Sequence, residues 1–233
     1  MTRDSRLERF SHLPLLGPLA GMMPDNQAKL WPLLGRVPEH FVLYGGTGLA
    51  LRLGHRESVD FDFFSAEPFL PTDLLAELAW LGPASVGRSS PNNLEFATTD
   101  NVNLSFFGAM RIQSVAEPSI VVDNGLVVAS IYDLAGTKAK TILDRSEWKD
   151  YVDLAALVRN GHTLPDIIGY ATTIFGPLFP FPAAAFLRSL VFFEEGSAPD
   201  VPADMRWELE AAVARTTADQ IPDVEPYSAS ILP

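Results

Sequence analysis

The sequence predicts an α/β (α+β) fold, a mixed sheet with flanking helices followed by a helical C-terminal half. Three observations carry this. An apolar run, Phe41-Val42-Leu43-Tyr44, enters a glycine turn and a short helix. A second strand, Ser58 to Phe64, alternates polar and apolar residues, and a strand meander spans Ala84 to Phe107. Beyond Ser130, long helical stripes replace the period of two. The expected division is residues 1–128 as the α/β core with an N-terminal arm, and 129–233 as a helical region closing a cleft.

Taken in order, residues 1–24 are rich in Pro, Leu and Gly without a sustained period, and read as an extended arm. A short helix runs from Asp25 or Asn26 to Leu34 and stops at Gly35. After the strand Phe41–Tyr44 come Gly45-Gly46-Thr47-Gly48, where missing Cβ atoms let backbone N–H groups approach a ligand closely. Leu49, Ala50, Leu51 and Leu53 continue as a helix, whose N-terminus suits phosphate. On the next strand Asp60 and Asp62 share one face while Val59, Phe61 and Phe63 take the other. Carboxylates about 6.5–7 Å apart along a strand can hold Mg²⁺ together with substrate phosphates. A dinucleotide fingerprint would want glycine near position 51, where Leu51 stands, and the Gly-Lys-Ser/Thr of a Walker loop is absent. An ordinary amphipathic strand with two solvated aspartates also fits Asp-x-Asp alone.

The order strand, Gly-Gly-Thr, helix, Asp-x-Asp resembles the nucleotidyltransferase superfamily of the DNA polymerase β type. The wording from Gly45 to Phe64, with Gly54-His55-Arg56-x-Ser58-x-Asp60-x-Asp62-Phe63-Phe64, resembles more narrowly the AbiEii/AbiGii toxin family. That resemblance implies transfer of a nucleoside monophosphate from an NTP, with Mg²⁺ or Mn²⁺ at Asp60 and Asp62. It places Gly45, Gly46, Thr47, Arg56, Ser58 and Asp153 around the nucleotide. It also implies abortive infection or a toxin–antitoxin pair, hence an antitoxin partner and an RNA or other cellular acceptor.

Further along, Thr72 caps a helix from Asp73 to Leu81, and strands follow near Val86, at Asn93–Thr98 and at Val102–Phe107. In the superfamily this last strand often carries a third metal-binding acid. The matching position is Ser105, and Glu95 on the neighbouring strand is either a substitute or a solvated residue. Asp123-Asn124-Gly125 reads as a hairpin turn. Ser130 and Asp133 read as a capping box for a helix to Leu143. Lys138 lies on the apolar stripe of that helix, where a lysine either snorkels outward or points into a cleft. The resemblance favours the cleft, because the family has a lysine in this Asp-Leu-Ala-x-x-Lys segment.

The next helix runs from Trp148 to Arg159, with Asp150 and Asp153 on one face. They read as a charged surface on their own. The resemblance to an Arg-x-x-x-Lys-Asp-x-x-Asp-Leu motif makes Asp150 the candidate base or orienter. Helices at Asp166–Phe175, Pro182–Phe193 and Met205–Ala218 follow, and Pro222 to Pro233 is expected to be extended and poorly ordered.

Composition narrows the function classes. With 233 residues, 47% hydrophobic, the chain can bury one good core. A net charge of −12 argues against broad nucleic-acid binding. Nine acids against Arg206 and Arg215 between Glu194 and Glu225 leave the rest only mildly acidic, so a local basic groove through Arg52, Arg56, Lys138, Lys140, Arg145 and Lys149 is compatible with RNA. No membrane span or signal peptide is expected, and the lack of cysteine fits a cytoplasmic protein. A non-catalytic nucleotide- or partner-binding module on the same scaffold is the alternative function.

Overall fold

A computed structural model describes residues 3–17, 23–176 and 179–231. It divides into two compact units. One comprises Met1–Ile112, Glu117–Ser130 and Ser228–Pro233, the other Gln113–Ala116 and Ile131–Tyr227.

The first unit is built on a mixed sheet. Its strands are β1 (Leu15–Leu16), β2 (Val42–Tyr44), β3 (Asp60–Phe64), β4 (Ala84–Ser90), β5 (Asn93–Thr98), β6 (Asn103–Phe107), β7 (Ser119–Val121) and β8 (Val127–Val128). Among the described residues they order β1-β7-β8-β2-β3-β6-β5-β4. β3 is antiparallel to β2 and parallel to β6, with Asp60 opposite Asn103 and Asp62 opposite Ser105. The alternation of β3 sorts the two faces. Phe61 and Phe63 are fully buried with Leu104 and Phe106, and Phe63 stacks on Phe106 at 4.8 Å between centroids. Each fully buried phenylalanine contributes roughly 1.5–3 kcal/mol, which locks the register and turns Asp60 and Asp62 outward.

Among the described residues, the α-helices α1 (Arg3–Arg9), α2 (Asp25–Leu30), α3 (Gly45–Leu53) and α4 (Pro71–Glu77) accompany this sheet. The N-terminal arm departs from the extended reading. Arg6 is buried, and its Nη1 donates to the Gly35 and Val37 carbonyls at 2.8 and 2.7 Å. Phe10 and Leu13 are buried behind it, and β1 then pairs in parallel with β7. Residues 18–22 of the expected arm lie outside the described residues. Asp123-Asn124-Gly125 does form the turn between antiparallel β7 and β8.

The second unit is helical: α5 (Ile131–Asp144), α6 (Trp148–Arg159), α7 (Leu164–Phe175), α8 (Ala183–Leu190) and α9 (Ala203–Ala214). Asp133, expected in a capping box, accepts the Val115 N–H at 2.8 Å. α7 starts earlier than the sequence suggested, because Thr163 and Asp166 close a reciprocal cap ahead of it. The C-terminal segment also packs more than expected. Thr173 donates to the Val224 carbonyl and the Tyr227 N–H to Ser114, so residues 222–227 are tied to this unit. No helix among the described residues is long and apolar enough to cross a membrane.

Candidate functional site

In the first unit the chain passes from β2 straight into α3, and Gly45 makes the bend with φ +69°. The Asp62 carboxylate fills the space a side chain at Gly45 would need. Next to it, a Cβ on Gly46 would come within 2.5 Å of Arg56 Nη2 and 3.2 Å of Ser58 Oγ. The loop from α3 to β3 thus folds Arg56 and Ser58 back over the turn. Thr47 is buried, and its hydroxyl donates to the Asp60 main-chain carbonyl, tying the first turn of α3 to β3. Gly45, Gly46, Thr47, Arg56, Ser58, Asp60 and Asp62, seven positions scattered over eighteen residues of chain, therefore share one corner of this unit. It combines a guanidinium, a hydroxyl and a helix N-terminus with two carboxylates.

A Gly45→Ala variant tests this packing. A left-handed φ costs a non-glycine residue roughly 1–2 kcal/mol, and the new methyl would also displace the Asp62 carboxylate. The expected result is a fall in stability of at least that size, read as a lower urea midpoint.

Sequence reasoning missed Asn103. Its Nδ2 donates to Asp60 Oδ1 at 2.9 Å. The signal was present in Asn103-x-Ser105, a period-two pair of small polar residues, once β6 is set beside β3. Ser105 does stand opposite Asp62, and Glu95 stands opposite Ser105 on β5. Glu95 is engaged by Arg88 at 3.3 Å.

In the second unit Lys138 is buried on α5. Its Nζ lies 2.8 Å from Asp150 Oδ1 and 2.7 Å from Asp153 Oδ2, both on α6 and both fully buried. Arg145 Nε adds a 2.9 Å contact to Asp150 Oδ2. Burial pushes the Lys138 ammonium down, but Asp153 and Asp150 outweigh it and hold the pKa above the ordinary lysine value. Lys138, Asp150 and Asp153 thus form one buried charge cluster, with Lys138 neither snorkelling nor alone. Several of the basic residues considered for RNA are committed locally. Arg52 donates to the Ala129 and Val128 carbonyls, Lys140 pairs with Asp144, and Lys149 with Glu147.

Comparison with known proteins gives this geometry its setting. Residues 34–80, which hold the whole glycine turn and acid pair, match the family model described as nucleotidyl transferase AbiEii toxin, type IV TA system. An uncharacterised protein of Aquifex aeolicus is 32% identical over 164 residues, covering 66% of this chain and 74% of that protein. The chain belongs to the AbiEii nucleotidyltransferase toxin family.

Two solved structures share the fold of this AbiEii-family protein. A putative nucleotidyltransferase from H. pylori has a TM-score of 0.51 at 16% identity, covering 85% of this chain and 95% of that one. MenT4, a nucleotidyltransferase toxin from Mycobacterium tuberculosis, has a TM-score of 0.50 at 15% identity, covering 94% and 92%. At these identities the likeness is one of fold, and it agrees with the mixed sheet and helical unit described above.

Proposed function

We propose that this AbiEii-family protein is a divalent-cation-dependent nucleotidyltransferase that moves NMP from an NTP to an RNA or other cellular acceptor. The observation that carries the reading is the corner in which Asp62 packs against Gly45 while Arg56 and Ser58 cover Gly46. Asp60 and Asp62 offer hard carboxylate oxygens, a donor set that fits Mg²⁺ or Mn²⁺. A bound cation supplies charge neutralisation on the triphosphate. The amides at Gly46 and Thr47, with Arg56 and Ser58, hold the phosphates. In the reaction an acceptor hydroxyl oxygen bonds to the α-phosphorus, the α–β phosphoanhydride bond breaks, and pyrophosphate leaves. Positioning and charge neutralisation carry most of such a rate.

In this proposal Lys138, Asp150 and Asp153 act as one unit. Asp150 and Asp153 hold the Lys138 ammonium between them, and these three residues are the second unit's candidates for phosphate charge and acceptor orientation. The family supports a toxin with an antitoxin partner. Ser105 opposite Asp62 favours a second reading, a nucleotide-binding module without turnover.

Incubation with each α-³²P-labelled NTP, Mg²⁺ and either total RNA or total protein separates the two. Label in an acceptor, abolished by EDTA, is expected. NTP binding without label transfer would support the module.

A further inference from the structure

The two residues that face the acid pair from β6 are uncharged. Parallel pairing with β6 puts Asn103 beside Asp60 and Ser105 beside Asp62. One strand further, β5 places Ala97 opposite Asn103 and Glu95 opposite Ser105. Glu95 therefore stands two strands from Asp62, about 9.5 Å at the usual strand spacing, and it is turned to Arg88. Among the described residues no group of three or more His, Cys, Asp or Glu side chains gathers closely enough to hold a metal ion. Two-metal sites need ions about 3.5–4 Å apart and carboxylates to bridge or flank both. The β3–β6 pair supplies two carboxylates and, next to them, an amide and a hydroxyl, with Glu95 one strand further and paired to Arg88.

The amide is engaged. Asn103 Nδ2 donates to Asp60 Oδ1 at 2.9 Å, which fixes the plane in which that carboxylate presents its oxygens. Hydrogen-bonding groups behind a ligating carboxylate orient it, and losing one typically costs about 10–100-fold in metal affinity.

We propose that Asn103 is a positioning residue for Asp60, and that the Asp60–Asp62 pair takes one divalent cation and not two. This rests on the metal-binding reading of the acid pair. It extends that reading to the number of ions and to a residue outside the Asp-x-Asp strand. An aspartate at 103 would bring a third carboxylate to the pair, whereas an alanine would only remove the orienting donor.

The test is equilibrium Mn²⁺ binding, counted by the loss of free-ion EPR signal, on the full chain. The wild type is expected to bind one Mn²⁺ per chain, and Asp60→Ala none at this site. Asn103→Ala should bind Mn²⁺ about tenfold more weakly, with an unchanged thermal transition. Asn103→Asp should move affinity in the opposite direction or admit a second ion. A residue with a purely structural role would weaken binding in both variants, so the opposite signs are the diagnostic. Two ions per wild-type chain would overturn the single-ion proposal, and unchanged affinity in Asn103→Ala would overturn the positioning role. In both cases the metal reading would stand. No Mn²⁺ bound by the wild type would end the metal reading itself, and this inference with it.

Discussion

An Asp60→Asn variant is expected to lose divalent-cation-dependent NTP binding and to lower any transfer rate by at least about 10²–10³-fold, the scale of several kcal/mol of lost charge stabilisation. Its fold should be untouched, for reasons visible in the structure. The Thr47 hydroxyl bonds the main-chain carbonyl of residue 60, which the substitution keeps. Asparagine also keeps a side-chain oxygen to accept from Asn103. The core face of β3 rests on Phe61 and Phe63, which do not change. Calorimetric titration with a non-hydrolysable NTP analogue, with and without Mg²⁺, checks it. Undiminished Mg²⁺-dependent affinity in a folded variant would remove Asp60 from the site.

The second large effect is on stability. A Lys138→Met variant keeps the volume of the side chain but leaves Asp150 and Asp153 buried without the ammonium that both contact. Breaking a buried ion pair from one side costs about 3–5 kcal/mol, and the loss should appear as a lower urea midpoint. Arg145 still reaches Asp150, so the variant should remain folded at low denaturant. The pH dependence has a definite sign. Because the folded pKa of Lys138 is raised, its contribution is complete below the ordinary lysine value of 10.5 and is lost only as pH rises through the higher folded value. On the alkaline side the stability gap between wild type and variant should therefore hold from neutral pH upward and close only in strong alkali. Closure of the gap on raising the pH from about 7 to about 9 would contradict the ion-pair account.

What was legible in the sequence followed from local periodicity. Val59-Asp60-Phe61-Asp62-Phe63 alternates with period two, so the two faces of β3 could be assigned before any pairing was known. The strand, glycine turn and helix from Phe41 to Leu53 are contiguous and carry their own signals, and the α/β class followed from them.

What was not legible depends on partners far away in the chain. Asn103 reaches Asp60 across forty-three positions, and its part appears only when β6 is aligned with β3. α1 has seven residues and no apolar stripe. It owes its place to one arginine that finds the carbonyls of Gly35 and Val37. Lys138 could be placed on an apolar stripe, but the stripe left open what its ammonium would meet. The packing of α5 on α6 supplies that answer, a pair of carboxylates three residues apart.

The most direct test of nucleotidyl transfer follows two labels of the same NTP into the acceptor. With α-³²P the label should enter the acceptor in the presence of Mg²⁺, and with γ-³²P it should leave as pyrophosphate. Both signals should vanish in Asp60→Asn. Label from the γ position in the acceptor would mean phosphoryl transfer, and label from neither would mean no transfer at all; each contradicts the account.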